Sequence, residues 1–362
     1  MPNRVICFFL IGSLFCSACG GSLKASPPVE KSSLVVFAAG SLIIPFTALE
    51  KAFEAEYPTI DVLSEYHGSI QVMRHVTDLH EPIDVVATAD ASLIPMLMYT
   101  TTHPDSGQPN ANWYIRFATN RLALAYRPES RYAGEINAEN WMDVLARPNV
   151  LTGIADPRFD ASGYRALMAF ALAEMSTGRY DLFDAMFRNQ FTYPITIFRD
   201  DPLTTITVPE ILEMESNAHV VLRGASIELI ALLEAGEMDY AFEYESVILQ
   251  HGLEMLRLPD EVNLGEASLD SLYHSVQVDL DFQRFATVKP QFLGEQIGYG
   301  ITIASGALHP EEAALFISFL LGPKGRLIME EQHHAMLTPP GVDGAEHIPA
   351  SIFGVISPAG GE

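Results

Sequence analysis

Beyond residue 19 this sequence has no cysteine; Cys7, Cys16 and Cys19 are its full set. The body of the chain therefore has no disulfide, no thiolate metal site and no cysteine nucleophile. Basic residues are scarce as well. Lys and Arg number 21 against 46 Asp and Glu, a formal net charge of −25. Binding to nucleic acid needs clustered cations against phosphate, so that class of partner is excluded. The same acidity means that any bound anion must be held by local dipoles, because the field of the whole molecule repels it. Neither a G-x-S-x-G nor a phosphate-loop motif occurs. The 11 histidines show no zinc-type spacing. After the N-terminal segment no run reaches ~18 uninterrupted apolar residues, so no further bilayer span is expected.

The sequence is rich in core-forming residues. With 362 residues, 48% apolar and 19% charged, it can build a large core in two lobes without covalent staples. It opens with "MPNRVICFFLIGSLFCSACGGSLKASPPVEKSS". Arg4 forms a positive start, and Val5 to Phe15 is apolar but short for a membrane span. "CSACGG" resembles a bacterial lipobox, with Cys16 where such boxes usually carry Leu. The expected reading is a signal peptide over 1–18, lipidation of Cys19 and a tether over 19–33. An ordinary secretory signal cut near Ala25 is the alternative. Either way the protein is exported.

Hydrophobic periodicity then predicts β-α-β-α-β. Strands are expected at 34–38, 60–63 and 83–89. Leu42, Phe46, Leu49 and Phe53 make one helix face, and Val72, Val76 and Leu79 another. "RFATNRLALAY" (116–126) reads as one further strand, and "NWMDVLARP" as a short helix. A helix is expected from about Gly163. A strand–Ser226–helix–strand unit follows, with Ser226 as a candidate cap. "IGYGITIA" reads as a strand, and "PEEAALFISFLLGPKG" as a helix stopped at Gly322-Pro323. The last residues read as loop or tail. Met96 and Met98 are expected in the core, and Asp84 and Asp90 are expected to tie loops together.

Four junctions share one chemistry: Gly40-Ser41, Gly68-Ser69, Asp160-Ala161-Ser162-Gly163 and Ala225-Ser226. Each ends a strand or loop and begins a helix. A single Ser in such a place is ordinarily a plain cap. Several helix starts converging can hold an oxyanion on unpaired N–H groups and hydroxyls, with no Lys or Arg. Each exposed helix end contributes about 0.3–1 kcal/mol. A hydrogen bond to a charged acceptor contributes about 1.5–3 kcal/mol.

Eight stretches carry a specific likeness: "FAAGSLIIPF", "HGSIQVMRHV", "PIDVVATADASLIP", "WYIRFATNRLALAY", "DPRFDASGYRALM", "SIELIALLEAGEMDYAFEYESV", "LPDEVNLG" and "YGITI". Together they resemble the molybdate/tungstate-binding proteins of ABC importers, in particular the WtpA-type branch, over about residues 34 to 335. The resemblance implies an α/β, two-lobed type II periplasmic-binding-protein fold. Each lobe would be a mostly parallel sheet flanked by helices, with the ligand cleft between them. Expected boundaries are 34–118 for lobe I, 119–300 for lobe II, 301–345 for the return of lobe I and 346–362 for a tail. The implied activity is binding rather than catalysis. Such a protein captures tungstate or molybdate as a monomer at the extracytoplasmic face, needs no cofactor, and serves a permease and ATPase.

By motif, the implied oxyanion donors are Ser41, Ser69, Ser162 and Ser226, with Ala161 through its N–H and Tyr244 bordering the site. Asp160 and Glu243 are implied ligands of the metal centre itself, with Asp156 of "ADPRF" a second candidate for the first role. The family often has Pro-Cys where this chain has Ala161-Ser162, which loosens the loop and adds a hydroxyl. Two carboxylates facing a dianion cost several kcal/mol. They make sense only as oxygen donors to a hard, high-valent metal. Sulfur does not expand its shell in this way, so the pair implies selection against sulfate. Two other readings compete. One is a divalent-cation-binding lipoprotein using Asp160, Glu243 and a histidine such as His67. The other is a hydrolase with Ser41 as nucleophile.

Overall fold

Two adjacent strands set the geometry of the first half. β1 (Ser32–Ala39) and β2 (Ile60–His67) run parallel, with Ala39 opposite His67. Gly40-Ser41 and Gly68-Ser69 leave the sheet side by side at its carboxyl edge. α1 (Ile43–Glu56) and α2 (Ser69–Thr77) begin there. Such edges are where open α/β sheets bind ligands. Leu42, Phe46, Leu49 and Phe53 are fully buried, as the periodicity predicted. The structure, a computed structural model, describes residues 31–282 and 289–356. The expected signal peptide, Cys19, most of the tether and residues 357–362 lie outside the described residues. Ser32 and Ser33, assigned to the tether, instead pair with Ile60 and Asp61 in the sheet.

After β3 (Val85–Thr88), β4 (Tyr114–Thr119) stays in this sheet, whereas β5 (Leu122–Tyr126) opens a second one. The single strand expected over 116–126 is therefore two, broken at Asn120-Arg121. An unbroken apolar pattern hid the crossing because both halves are buried.

The second region continues with α3 (Trp141–Leu145), β6 (Thr152–Ala155), α4 (Ala161–Thr177), α5 (Leu182–Phe187), β7 (Thr196–Asp200), β8 (Leu203–Val208) and β9 (Val220–Arg223). Next come α6 (Ser226–Ala235), β10 (Tyr240–Tyr244), α7 (Glu245–His251), β11 (Glu254–Arg257), α8 (Asp260–Asn263), α9 (Asp270–Tyr273), β12 (Val276–Leu280) and β13 (Gln291–Leu293). The chain then returns to the first sheet through β14 (Gly298–Ile303), a little before residue 301, and ends with α10 (Pro310–Leu321), α11 (Pro323–Glu331), β15 (Ala335–Asp343) and α12 (Ala350–Ile356).

The first sheet has the order β15-β4-β14-β3-β1-β2, and the second β11-β5-β10-β6-β9. A third, β13-β12-β8-β7, lies against α4. All three are mixed. β1 pairs parallel with β2 and β3, and β6 with β9 and β10, while the strands that carry the chain between sheets pair antiparallel. The two-lobed α/β fold therefore stands with mixed sheets in place of mostly parallel ones. α4 is buried on every face through its first 14 residues because two sheets enclose it. The expected C-terminal tail is partly structured: β15 pairs with β4, and α12 packs on α10 with Ile352 fully buried.

Candidate functional site

The junctions converge. Ser41, Ser69, Ser162, Ser226, Asp160, Glu243 and Tyr244 are all buried, none more than 5% exposed. Ala161, the first residue of α4, is fully buried as well.

The serines are not caps. Ala225, not Ser226, is the N-cap of α6, and Ser226 is its first helical residue, so the expected cap is corrected. Gly68 precedes α2, and Ser41 lies in a 3₁₀ turn ahead of α1 with no capping bond. Their hydroxyls are used elsewhere. Ser69 Oγ accepts from the Ala89 N–H at 3.1 Å, which leaves its own proton to donate. Ser41 Oγ lies 3.0 Å from Tyr299 Oη.

The one true cap is Asp160. Its Oδ1 accepts from Ser162 N–H at 2.9 Å and from Ser162 Oγ at 3.0 Å, and its Oδ2 from Ser226 N–H at 3.2 Å. One carboxylate thus spans the starts of α4 and α6, the place where dipoles favour negative charge. Burial pushes its pKa up, opposed by these donors and by Arg165. Asp156 is engaged elsewhere: its carboxylate holds Arg158 through the backbone N–H and Nε, both at 2.9 Å. Between the two candidates, the geometry favours Asp160.

Glu243 is on β10, fully buried. Its Oε1 accepts from the following Tyr244 N–H at 2.7 Å, and its Oε2 is buried with no partner. Burial pushes its pKa up to about 8; the Tyr244 N–H and Ser226 hydroxyl oppose this, and the Asp160 charge adds to it. Ser226 therefore stands between the two acids: its N–H bonds Asp160, and its hydroxyl is near enough to Glu243 to lower its pKa.

Glycine permits the closeness at two points. A Cβ at Gly163 would lie 2.3 Å from the Ala155 carbonyl oxygen, so the start of α4 rests on the end of β6. A Cβ at Gly68 would lie 2.4 Å from the Phe159 carbonyl oxygen. That oxygen accepts from Ile70 and Gln71 N–H at 3.0 and 3.3 Å, which joins α2 of the first sheet to the loop that carries Asp160.

Sequence reasoning missed an arginine behind these junctions. Arg165, 2% exposed, donates from Nη1 to Ala89 O at 2.8 Å and to Tyr244 Oη at 2.6 Å; its Nη2 lies 3.3 Å from Asp90. Tyr164 Oη also donates to Asp90, and Ser92 donates to it from N–H and Oγ, so Asp90 does tie loops together as expected. Asp84 does the same, accepting from Val35 and His309 N–H. An Arg inside the apolar run "GYRALMAFALA" was the available signal, since an unpaired buried Arg is rare. Tyr299 and Asn120 were also missed, having no motif of their own.

The competing readings lose their residues. His67 stacks on His75 at 4.6 Å and lies 3.4 Å from Glu65. Among the described residues no group of three or more His, Cys, Asp or Glu could hold a metal ion. The partner of Ser41 Oγ is a tyrosine, which does not serve as the base of a hydrolase triad.

Comparison with known proteins adds sequence relatives. Residues 34–334 match the model of a family described as bacterial extracellular solute-binding protein. The molybdate/tungstate-binding protein WtpA of Thermococcus kodakarensis is 34% identical over 357 residues, 96% of this chain and 94% of that one. A solute-binding protein of Methanoculleus marisnigri is 34% identical over 344 residues, 93% of each chain. Among solved structures, the periplasmic molybdate-binding protein of Azotobacter vinelandii has a TM-score of 0.52 at 14% identity, covering 84% of this chain and 99% of that one. The sulfate-binding protein SubI of Mycobacterium tuberculosis has 0.55 at 16%, covering 91% and 100%. These two share the fold, and between them it carries different anions.

Proposed function

Because the chain belongs to the bacterial extracellular solute-binding proteins, we propose that it captures tungstate or molybdate for an ABC importer and is not an enzyme. The observation that carries this reading is the placement of two buried acids on either side of Ser226, one of them with a free oxygen. Asp160 takes the serine N–H, and Glu243 keeps a buried, unpartnered oxygen. A site built only for an oxyanion's outer oxygens gains nothing from two acids. A site that also reaches the central metal needs oxygen donors of this kind.

In this reading Ser41 and Ser69 approach from the first sheet. Ala161, Ser162, Ser226 and Tyr244 approach from the second and hold the outer oxygens through hydroxyls and helix-start N–H groups. Asp160 and Glu243 turn oxygens to the metal. The lobes meet fully only around the guest, so the guest favours the closed form, which docks on the permease. Lipidation of Cys19 would keep the protein beside its transporter, since several acyl chains anchor where one holds weakly.

Calorimetry on the exported chain tests the reading with tungstate, molybdate, sulfate and phosphate. Tungstate and molybdate are expected to bind at least a hundredfold tighter than sulfate, and Asp160→Ala and Glu243→Ala to erase most of that margin. Equal affinity for sulfate, or selectivity untouched by both substitutions, overturns it.

A further inference from the structure

The hydroxyl of Ser41 ends a hydrogen-bond chain whose direction is set far from the site. At its origin is Asn120, in the break between β4 and β5. The Asn120 Oδ1 lies 3.0 Å from Arg121 N–H and 3.4 Å from Ser246 N–H. Backbone N–H groups only donate, so the facing side-chain atom is the oxygen and the other is the NH₂ group. That group donates to Ser246 Oγ at 2.7 Å and to Tyr299 Oη at 3.1 Å.

The far branch agrees. His334 is buried, and burial pushes its pKa down to about 4, so it is neutral. Its Nδ1 faces the Gln332 carbonyl at 3.1 Å and carries the ring proton. Its Nε2 is therefore an acceptor, 3.5 Å from Ser246 Oγ. Ser246 directs its proton to the ring and accepts from Asn120.

With Asn120 donating to Tyr299, the tyrosine proton goes to Ser41, 3.0 Å away. Ser41 accepts there and keeps its own proton for the cleft. From this geometry we infer that Asn120 and Tyr299 are positioning residues that hold the Ser41 hydroxyl as a donor to the guest oxyanion. The inference rests on the functional reading above and deepens it. A Ser41 hydroxyl turned the other way would set its lone pairs against the guest's oxygens, which is costly in a dry cleft. Both crossings between the sheets feed the chain, Asn120 from the outgoing strand and Tyr299 from the returning one. The orientation of Ser41 is therefore fixed by the strands that pass between the sheets and not by its own turn.

The test is a double-mutant cycle on the full chain, with tungstate as probe and near-UV circular dichroism to confirm folding. Asn120→Asp keeps the shape but can only accept. The chain then reverses: Tyr299 donates to residue 120, Ser41 donates to Tyr299, and lone pairs face the cleft. Tungstate affinity should fall at least thirtyfold in the wild-type background. In the Tyr299→Phe background no hydroxyl transmits the reversal, and the same substitution should cost less than threefold. A penalty from added charge alone would be equal in both backgrounds and overturns the inference. Tyr299→Phe by itself frees the Ser41 hydroxyl to turn and should weaken tungstate binding at least threefold; an unchanged affinity also overturns the inference, and does so even if Asn120→Asp fails to fold. Wild-type protein that binds no tungstate overturns the functional reading, whereas wild-type binding with equal penalties overturns only this inference.

Discussion

The N–H of Ser226 donates to Oδ2 of Asp160 at 3.2 Å across 66 residues of sequence. Through this contact the first turn of α6 and the first turn of α4 share one buried anion, and the guest's neighbourhood is assembled before any guest arrives. Asp160→Ala removes the cap and leaves the Ser162 and Ser226 N–H groups without that partner. Loss of an N-cap costs about 0.5–2 kcal/mol. Urea denaturation of the ligand-free protein should show a loss in this range or slightly above it, together with weaker tungstate binding. An unchanged midpoint would mean that the α4 and α6 starts are satisfied by other groups.

Glu243 makes stability depend on pH. Its pKa lies near 8 in the folded chain against an ordinary 4.5. Between those values the folded protein holds a proton that the unfolded chain releases. Its contribution is therefore complete below about 4.5 and is lost as pH rises towards 8. Glu243→Gln has no such titration. Its melting temperature should vary less over this window and exceed that of the wild type at the upper end. An identical slope in both proteins would contradict the assignment. Ligation of a metal needs the carboxylate, so tungstate binding near neutral pH should release close to one proton, read by calorimetry in buffers of different ionisation enthalpy.

Gly68 sets how closely the first sheet's α2 meets the Asp160 loop. A methyl group there would meet the Phe159 carbonyl oxygen at 2.4 Å, and backbone cannot yield as a flexible side chain can. Gly68→Ala should separate the two, weaken tungstate at least tenfold, about 1.4 kcal/mol, and leave a larger radius of gyration at saturating ligand in solution scattering. Wild-type affinity in this variant would show that the contact is not needed for closure.

Arg165 balances Asp90 behind the site. Replacing it with Met strands a buried carboxylate, and breaking such a pair costs about 3–5 kcal/mol. Chemical denaturation should register a loss of that order, largely recovered in the Arg165→Met, Asp90→Asn double variant. No recovery would mean that the arginine acts mainly through Ala89 and Tyr244.

Much of this was legible in the residues. The face formed by Leu42, Phe46, Leu49 and Phe53 was visible in spacing alone, because a helix on one side of a sheet must bury one stripe. The repeated Gly-Ser marked two junctions that leave the sheet side by side, because strand pairing brings equivalent positions together. The break at Asn120 was hidden, since a strand that passes from one buried sheet to another keeps its apolar pattern. Ser226 was misread as a cap because the sequence cannot tell an N-cap from the first helical residue when the preceding residue, Ala225, extends the chain in β conformation. Tyr299 and Asn120 act through partners distant in sequence, such as Ser41 and Ser246, and no local pattern announces contacts of that kind.

The central claim is that two acids reach the metal atom of the guest. X-ray absorption at the tungsten edge of the tungstate-loaded protein addresses it directly. The account predicts an expanded, near-octahedral oxygen shell with two distances longer than the oxo bonds, reverting to a tetrahedral shell in Asp160→Ala/Glu243→Ala protein that still retains ligand. A tetrahedral shell in the wild-type protein would contradict it.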